Sequence, residues 1–461
     1  MRPQHARLSI TLAALSALAV TLSSGNQASA GDRKAVAHTV GGKRVATSLP
    51  APTPKLFDYH HHAGEPTLGI TRGGDVIVTA GAGCVTSCAG SIHTLETVTP
   101  GGRAVFITRD KGRTFQDVSP GKAGVSPHVT SLDPYLLVDH SAETDRTFDI
   151  DLNPACNELS YSDDEGSTWI TNPLSCGEPV NDHQTLFTGK AISSPHPLYP
   201  RIVYYCFNKI EYTDCTKSID GGITFLPTAN TVNPECSGLN GHGVSDSRGW
   251  IYIPYTGCGN TPTIAMSKDE GSTWTAIHPA PRSKVNGGDP SLAVDSKDNL
   301  YMLWNDSDRK PVLATSTNGG KSWSAPVDLA APGVLRTNLA TLTVGAPGKI
   351  AVAYYGTGAE KDKGAFWNGY MLSGVNVLSS RPTFFSASVN DPKHPLKVDA
   401  CGPQRCGRVL DFIDVEIAPD GAPWATFVDA CKAACEATKV ETLDDNDGLL
   451  GTLVGGPNLK H

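Results

Sequence analysis

The sequence predicts an all-β chain folded as a single propeller of four-stranded antiparallel blades, and three observations carry that prediction. First, one octad recurs five times, as Thr108 to Phe115, Ser162 to Trp169, Ser218 to Phe225, Ser267 to Trp274 and Ser316 to Trp323. Its central residues Asp110, Asp164, Asp220, Asp269 and Asn318 lie 54, 56, 49 and 49 positions apart, the period of a repeat built from one small sheet. Second, about twenty residues after each centre a new apolar strand opens on a polar or acidic residue, at Asp133, Asp182, His242, Asp289 and Asn338. Glu65 precedes the first octad in the same style and Asp411 follows the last, so there are seven such starts. Third, these strands are followed by short Gly-, Asn- and Asp-rich turns and a second apolar run, the punctuation of antiparallel hairpins. Seven blades is the expectation, with six as the alternative.

Each octad reads as a hairpin turn between a third and a fourth strand. The carboxylate or the Asn318 amide accepts bonds from free turn amides, the glycine takes positive φ, and the terminal aromatic packs between sheets. The inner strands then start at the opposite end of the blades, and together they form a mouth. Blade six has no octad and runs from Asn338 through Trp367 to about Val389; blade seven starts at Arg408. A closed ring needs no free sheet edge, and Ala35 to Thr47, within residues 31–50, is expected to supply the outer strand missing from the last blade.

Residues 1–30 are set aside. Arg2 and Arg7 flank an apolar run from Leu8 to Leu22, and Ala28-Ser29-Ala30 offers a small-x-small cleavage site, as in a secretory signal peptide. The run is shorter than the roughly 20 residues that span a bilayer, so a membrane span is not expected. Residues 31–461 are one propeller domain, expected as a secreted, extracellular monomer. The twelve cysteines are even in number, as in a disulfide framework of an exported chain. Pairing of neighbours gives Cys84 with Cys88, Cys156 with Cys176, Cys206 with Cys215, Cys236 with Cys258, Cys401 with Cys406 and Cys431 with Cys435. A formal net charge of −8 argues against nucleic acid as a partner.

The octads resemble the Asp-box repeats of sialidases and related β-propellers, and the resemblance covers Glu65 to about Trp323. It implies a propeller that acts on or binds a carbohydrate or glycoconjugate. Sialidases read the substrate carboxylate with three arginines, the first in an Arg-Ile-Pro opening the first inner strand, where this chain has Glu65-Pro66-Thr67. Arg336 and Arg408 precede inner strands six and seven as candidate rim arginines. Tyr354 and Tyr355 are candidate nucleophiles by the family's use of tyrosine, or core aromatics.

The candidate chemistry lies at the mouth. Glu65, Asp133, Asp182, Asp289 and Asp411 are candidate catalytic carboxylates, because a pair of carboxyl groups supplies the acid and the base or nucleophile of glycosidic cleavage. His183, His242, Arg336, Asn338 and Arg408 are candidate substrate-binding residues. Like charges converging on one axis raise some carboxyl pKa values, although acids at strand starts also serve simply by accepting backbone bonds. His60, His61, His62, His128, His183 and His242 form no diagnostic metal spacing, and Asp444 to Gly448 lacks the first ligand and closing Glu of a calcium loop. Neither a metal nor a cofactor is expected. Three functions stand open: a sialidase-like glycoside hydrolase, a non-catalytic glycan- or protein-binding propeller, and a polysaccharide lyase using His183 or His242.

Overall fold

A computed structural model describes residues 33–59, 63–81, 103–120, 132–152, 157–174, 182–193, 198–209, 212–226, 230–232, 235–236, 239–362, 365–398, 409–429 and 447–461. These residues form seven antiparallel sheets arranged as the blades of a propeller. Blade one runs through Thr67–Ile70, Val76–Gly81, Arg103–Thr108 and Gln116–Asp117 in spatial order. Blades two to five repeat that meander from inner strands Leu132–Asp139, Asp182–Gly189, Val244–Ser245 and Ser291–Val294. Among the described residues no helix is long and apolar enough to cross a membrane.

Blades six and seven depart from the simple meander because the chain's first strands join its last. Blade seven comprises Val415–Ile417, Pro423–Asp429 and Asp447–Val454, and its fourth strand is Thr53–Asp58, which pairs from Thr53 with Val454 to Asp58 with Leu449. The closing strand therefore lies just downstream of residues 31–50. Val36–His38 from that segment instead adds a fifth strand to blade six, against Thr383–Ser388. His38 is fully buried there, its Nε2 2.7 Å from Ser386 Oγ and its Nδ1 2.9 Å from the Thr39 carbonyl. The N-terminal segment thus lashes blade six before it closes the ring through blade seven.

The core lies between blades. Phe148, Leu159, Leu186, Val203 and Tyr205 fill the space between blades two and three, and Tyr252, Leu300, Met302 and Trp304 that between blades four and five. The largest cluster joins blades six, seven and one across the seam, with Tyr355, Trp367, Met371, Phe427 and Leu450 at its centre. Burying flat aromatic and β-branched faces between neighbouring sheets is the main stabilising contribution in such an array.

All five octads form one turn between third and fourth strands. Their first hydroxyl accepts the glycine N–H, from Gly112 to Thr108 and from Gly166 to Ser162 at 2.8 Å, and likewise in the later copies. The central side chain accepts the N–H four residues on, at 2.9 Å in Asp110, Asp220 and Asp269, 2.8 Å in Asp164 and 3.0 Å in Asn318. Two successive left-handed residues complete each turn: Lys111 and Gly112, Glu165 and Gly166, Gly221 and Gly222, Glu270 and Gly271, Gly319 and Gly320. At Gly112 the absence of a side chain also matters for closure, since a Cβ would lie 2.5 Å from Cδ2 of Phe57 in the closing strand.

The first left-handed residue of the turn reaches the preceding blade, which sequence does not announce. Glu270 has a fully buried side chain that accepts the N–H groups of Ile192 and Ser193 at 2.6 and 2.8 Å and pairs with Lys217 at 2.7 Å. Glu165 meets Arg109, and Lys111 meets Asp420, at 3.3 Å each. Two of the neighbour-paired disulfides are described, Cys206–Cys215 and Cys236–Cys258. The other four pairs lie outside the described residues.

Asp269→Ala removes bonds within one half-exposed turn and is expected to cost about 1 kcal/mol. Glu270→Ala strands a part-buried ammonium and two amides between blades, so it should cost more, about 2–3 kcal/mol. Thermal or urea melting of the two variants checks the order; equal losses would mean that the bridge to blade three contributes nothing.

Candidate functional site at the mouth

The mouth is organised by backbone strain. Glu65, Asp133, His183 and Leu339 open the inner strands of blades one, two, three and six with φ of 50, 47, 48 and 50°. For residues carrying a Cβ this left-handed conformation costs roughly 1–3 kcal/mol and persists only where surroundings impose it. In blades two, three and six it coincides with a slip of register, between Leu132 and Tyr135, Asp182 and Thr185, and Asn338 and Thr341. Such a bulge turns the strand's first side chain toward the propeller axis.

There the side chains form a relay from blade to blade. Glu65 accepts the Asp133 N–H on Oε2 and the Asp411 N–H on Oε1, both at 3.1 Å, so one carboxyl bridges blades two and seven. Asp133 Oδ2 accepts the His183 N–H at 3.0 Å, and the His183 carbonyl accepts Asn240 Nδ2 at 2.8 Å, passing the relay to blade four. His183 then crosses the axis. Its Nδ1 lies 2.7 Å from Asp289 Oδ2 in blade five, and its Nε2 3.5 Å from Asp411 Oδ2 in blade seven. Glu65, Asp133, His183 and Asp411 are all buried, whereas the Asp289 side chain retains 16 % exposure and Asp182 is half-buried.

The electrostatics separate these acids. Burial and the charge and hydrogen bond of Asp133 push the Glu65 carboxyl well above the usual carboxylate range. Burial and the Asp133 contact likewise raise Asp182, to about 7. For Asp133, burial is outweighed by bonds from Glu65 and Asp182 and by the His183 charge, and its carboxyl is lowered. Asp133 is thus the member of the three that most favours its charged form. Burial disfavours a charged His183, but Asp289, Asp411 and Asp133 overcome it and raise the imidazole well above its ordinary value. Burial raises Asp289, and the His183 imidazolium opposes that shift. His242, desolvated and facing the His183 charge, is pushed down to about 3 and is neutral. It packs edge-on against Tyr135 and Phe412 at 4.5 and 5.3 Å between ring centroids.

Two cavities meet at Asp289. A small one of about 30 Å³ runs along the axis past His242, Ser291, Leu339, Asp411 and Phe412. The larger, about 800 Å³, opens between blades four and five. Its wall is the Cys236–Cys258 disulfide with Gly259 and Asn260, and Lys284, Asn286 and Ser307 line it with Asp289. Lys284 Nζ is held 2.6 Å from the Gly259 carbonyl.

The candidates from sequence therefore divide. Asp289 lines the pocket and Asp182 stands half-buried at the mouth. Glu65, Asp133 and Asp411 hold blades together, with oxygens or amides engaged in the relay, and Asp411 also lines the small cavity. Asn338 is buried, its Oδ1 3.1 Å from the Leu339 N–H. Arg336 is not a free rim arginine: its guanidinium pairs with Asp362 at 3.2 Å and donates to the Glu360 carbonyl at 2.9 Å. Asp362 also holds Arg309, at 3.1 Å. Tyr354 and Tyr355 are fully buried, and their hydroxyls accept the N–H groups of Ala331 and Val428 at 2.9 and 2.7 Å. They are core aromatics. Arg408 and the histidines at 60–62 and 128 lie outside the described residues.

Sequence reasoning missed Asn240, Arg309, Asp362 and the pocket wall. A signal for Asn240 exists. Thr67 and Thr185 accept the N–H of Leu136 and Gly243 in the next blade, so Glu65 and His183, two residues earlier, are equivalent positions, and Asn240 is the next in the series.

A carboxyl raised on folding contributes most below its unfolded value and loses that contribution as pH rises through its folded value. For Asp182 this window runs from about 4 to about 7. The melting temperature should therefore fall between pH 5 and pH 7.5, and Asp182→Asn should flatten that slope. A slope unchanged by the substitution would place the titration elsewhere.

No protein-family model matches the chain. A stretch of 177 residues is 28% identical to a xyloglucanase from a Paenibacillus species, over 35% of this chain and 15% of the relative, so the chain spans well under two thirds of that relative's length. Among solved structures it is similar to a Dyadobacter fermentans protein of unknown function, with TM-score 0.43 and 10% identity over 91% of this chain and 98% of the other. It is also similar to a Hadza microbial sialidase, with TM-score 0.43 and 17% identity over 76% and 71%, and to the Aleuria aurantia lectin, with TM-score 0.44 and 11% identity over 73% and 99%.

Proposed function

We propose that the chain is a secreted carbohydrate-active protein that hydrolyses a glycosidic bond of a neutral glycan in the pocket between blades four and five. The observation that carries this reading is Asp289: a carboxylate at the meeting of a cleft wide enough for a sugar chain and a narrow axial cavity. Two carboxyl environments support an acid and a base. The Asp182 carboxyl is raised to about 7, as suits a general acid, and Asp289 is paired with the His183 imidazole, whose charge favours the ionised form a base requires. In the reaction a general acid, for which the raised Asp182 is the candidate at the mouth, gives its proton to the leaving glycosidic oxygen as the C–O bond breaks. Asp289 takes a proton from the water whose oxygen bonds to the anomeric carbon.

A neutral substrate is favoured over a sialoside by three features: Glu65 in place of the first arginine, Arg336 already neutralised by Asp362, and both candidate tyrosines in the core. The local likeness to a xyloglucanase supports the same class. The second reading, a non-catalytic glycan-binding propeller, has its own support in the number of mouth acids committed to backbone amides.

Release of reducing ends from a panel of neutral β-glucans, xyloglucan included, is the test. Activity is expected with a pH optimum between about 5 and 7, and Asp289→Asn should lower turnover by about 10²–10⁴ while the fold persists. Saturable binding without any release would favour the binding propeller, and an unsaturated product absorbing in the ultraviolet would favour a lyase.

A further inference from the structure

Resting on the reading that Asp289 works in the pocket, we propose that His183 is its positioning residue, clamping Asp289 across the propeller axis so that Oδ2 is fixed and Oδ1 is left for the ligand.

The geometry is that of a tensioned bracket. His183 comes from blade three, while the carboxylates it spans, Asp289 and Asp411, come from blades five and seven. Its side chain is 2 % exposed, so water does not compete for the imidazole. Its own backbone is pinned at both polar groups, the N–H by Asp133 Oδ2 at 3.0 Å and the carbonyl by Asn240 Nδ2 at 2.8 Å. The left-handed φ of 48° is thus held by two neighbouring blades. A ring fixed in this way has little rotational freedom, and a carboxylate bonded to it inherits the same restraint. Asp289 lines both cavities, and its Oδ2 is the atom engaged.

The charge around His183 points the same way. The titratable groups that face it are Asp289, Asp411, Asp133, Glu65 and Asp182, with His242 as the only other imidazole among them. An acidic surround favours the protonated ring, which donates from Nδ1 to Asp289 while Nε2 faces the Asp411 carboxyl at 3.5 Å. Removal of that cation leaves Asp289 desolvated among like charges, so its proton affinity rises. The acid limb of any Asp289-dependent process then moves to higher pH. A residue needed only for packing does not produce that shift.

The test uses the whole folded protein in two arms. In the first, ¹⁵N spectra of His183 and ¹³Cγ spectra of Asp289 are followed against pH. Both imidazole nitrogens should remain protonated at pH 7, and His183→Gln should raise the Asp289 midpoint by a unit or more. A neutral His183 at pH 7, or an unmoved Asp289 midpoint in a folded variant, overturns the proposal. Should His183→Gln fail to fold, Asp411→Asn takes its place: it leaves the Asp289 contact and should lower the His183 midpoint, and no change in that midpoint counts equally against the clamp.

In the second arm, hydrolysis of xyloglucan oligosaccharide by His183→Gln should show kcat reduced at least tenfold with KM within about threefold, and an acid limb shifted upward. An unshifted limb with unchanged kcat overturns the proposal. If the unaltered protein hydrolyses none of the glycans tried, the hydrolase reading fails, and the spectroscopic arm still decides whether His183 holds Asp289.

Discussion

The fold depends on one interaction at the axis: in blades one and two the carboxyl of the strained residue accepts the N–H of the next blade's strained residue. Glu65 holds Asp133 and Asp411, and Asp133 holds His183. A left-handed backbone with a side chain is unfavourable by itself, so the relay and the bulges stabilise one another and neither forms alone. It also places Glu65 at the ring's seam, where its two oxygens join blade two to blade seven. The N-terminal strand Thr53–Asp58 closes the same seam at the outer edge. Closure is therefore secured at both radii, by hydrogen-bonded polar groups inside and by a six-residue ladder outside.

Much of this architecture was legible in the chain because its information is local. A turn carrying Ser, Asp, Gly and an aromatic at fixed offsets satisfies its own amides, so five copies announce five blades. The count of seven followed from polar residues at strand starts, and all seven starts do open blades. What was not legible is what passes between blades. Glu270 and Lys111 occupy the same position in the octad, yet one is a buried bridge and the other an exposed contact, according to what the previous blade presents. The closing strand lies just downstream of the expected Ala35 to Thr47 for a related reason: Val36–His38 and Thr53–Asp58 both form edge strands, and only the partner edge distinguishes them.

The same limit explains the mouth. Sequence marks Glu65, Asp133, Asp182, Asp289 and Asp411 as equivalent acids at strand starts, and by local chemistry they are. Tertiary placement makes them unlike. Asp133 is lowered while Glu65 and Asp182 are raised, Glu65 accepts two backbone amides, Asp411 faces His183, and Asp289 alone in the set lines the large pocket. No spacing along the chain encodes that distinction, since it depends on which residue faces which across an axis some distance from every turn.

The pocket opens where the relay runs out. Blades one to three contribute a charged or imidazole side chain at the left-handed position, but blade four contributes the neutral Asn240, and before Asp289 blade five has Gly287 and Gly288 at φ of 117 and 107°. A Cβ at Gly287 would lie 2.7 Å from Asn338 Oδ1, so this stretch admits only glycine and sends no side chain to the axis. From these two starts only neutral or singly bonded groups reach His183, the Asn240 amide at its carbonyl and the Asp289 carboxyl at its ring, and the pocket opens beside them. The residue that ends the relay among blades one to three is also the one that fixes the acid of the open side, so the strain stored at the axis and the geometry of the pocket rest on the same imidazole.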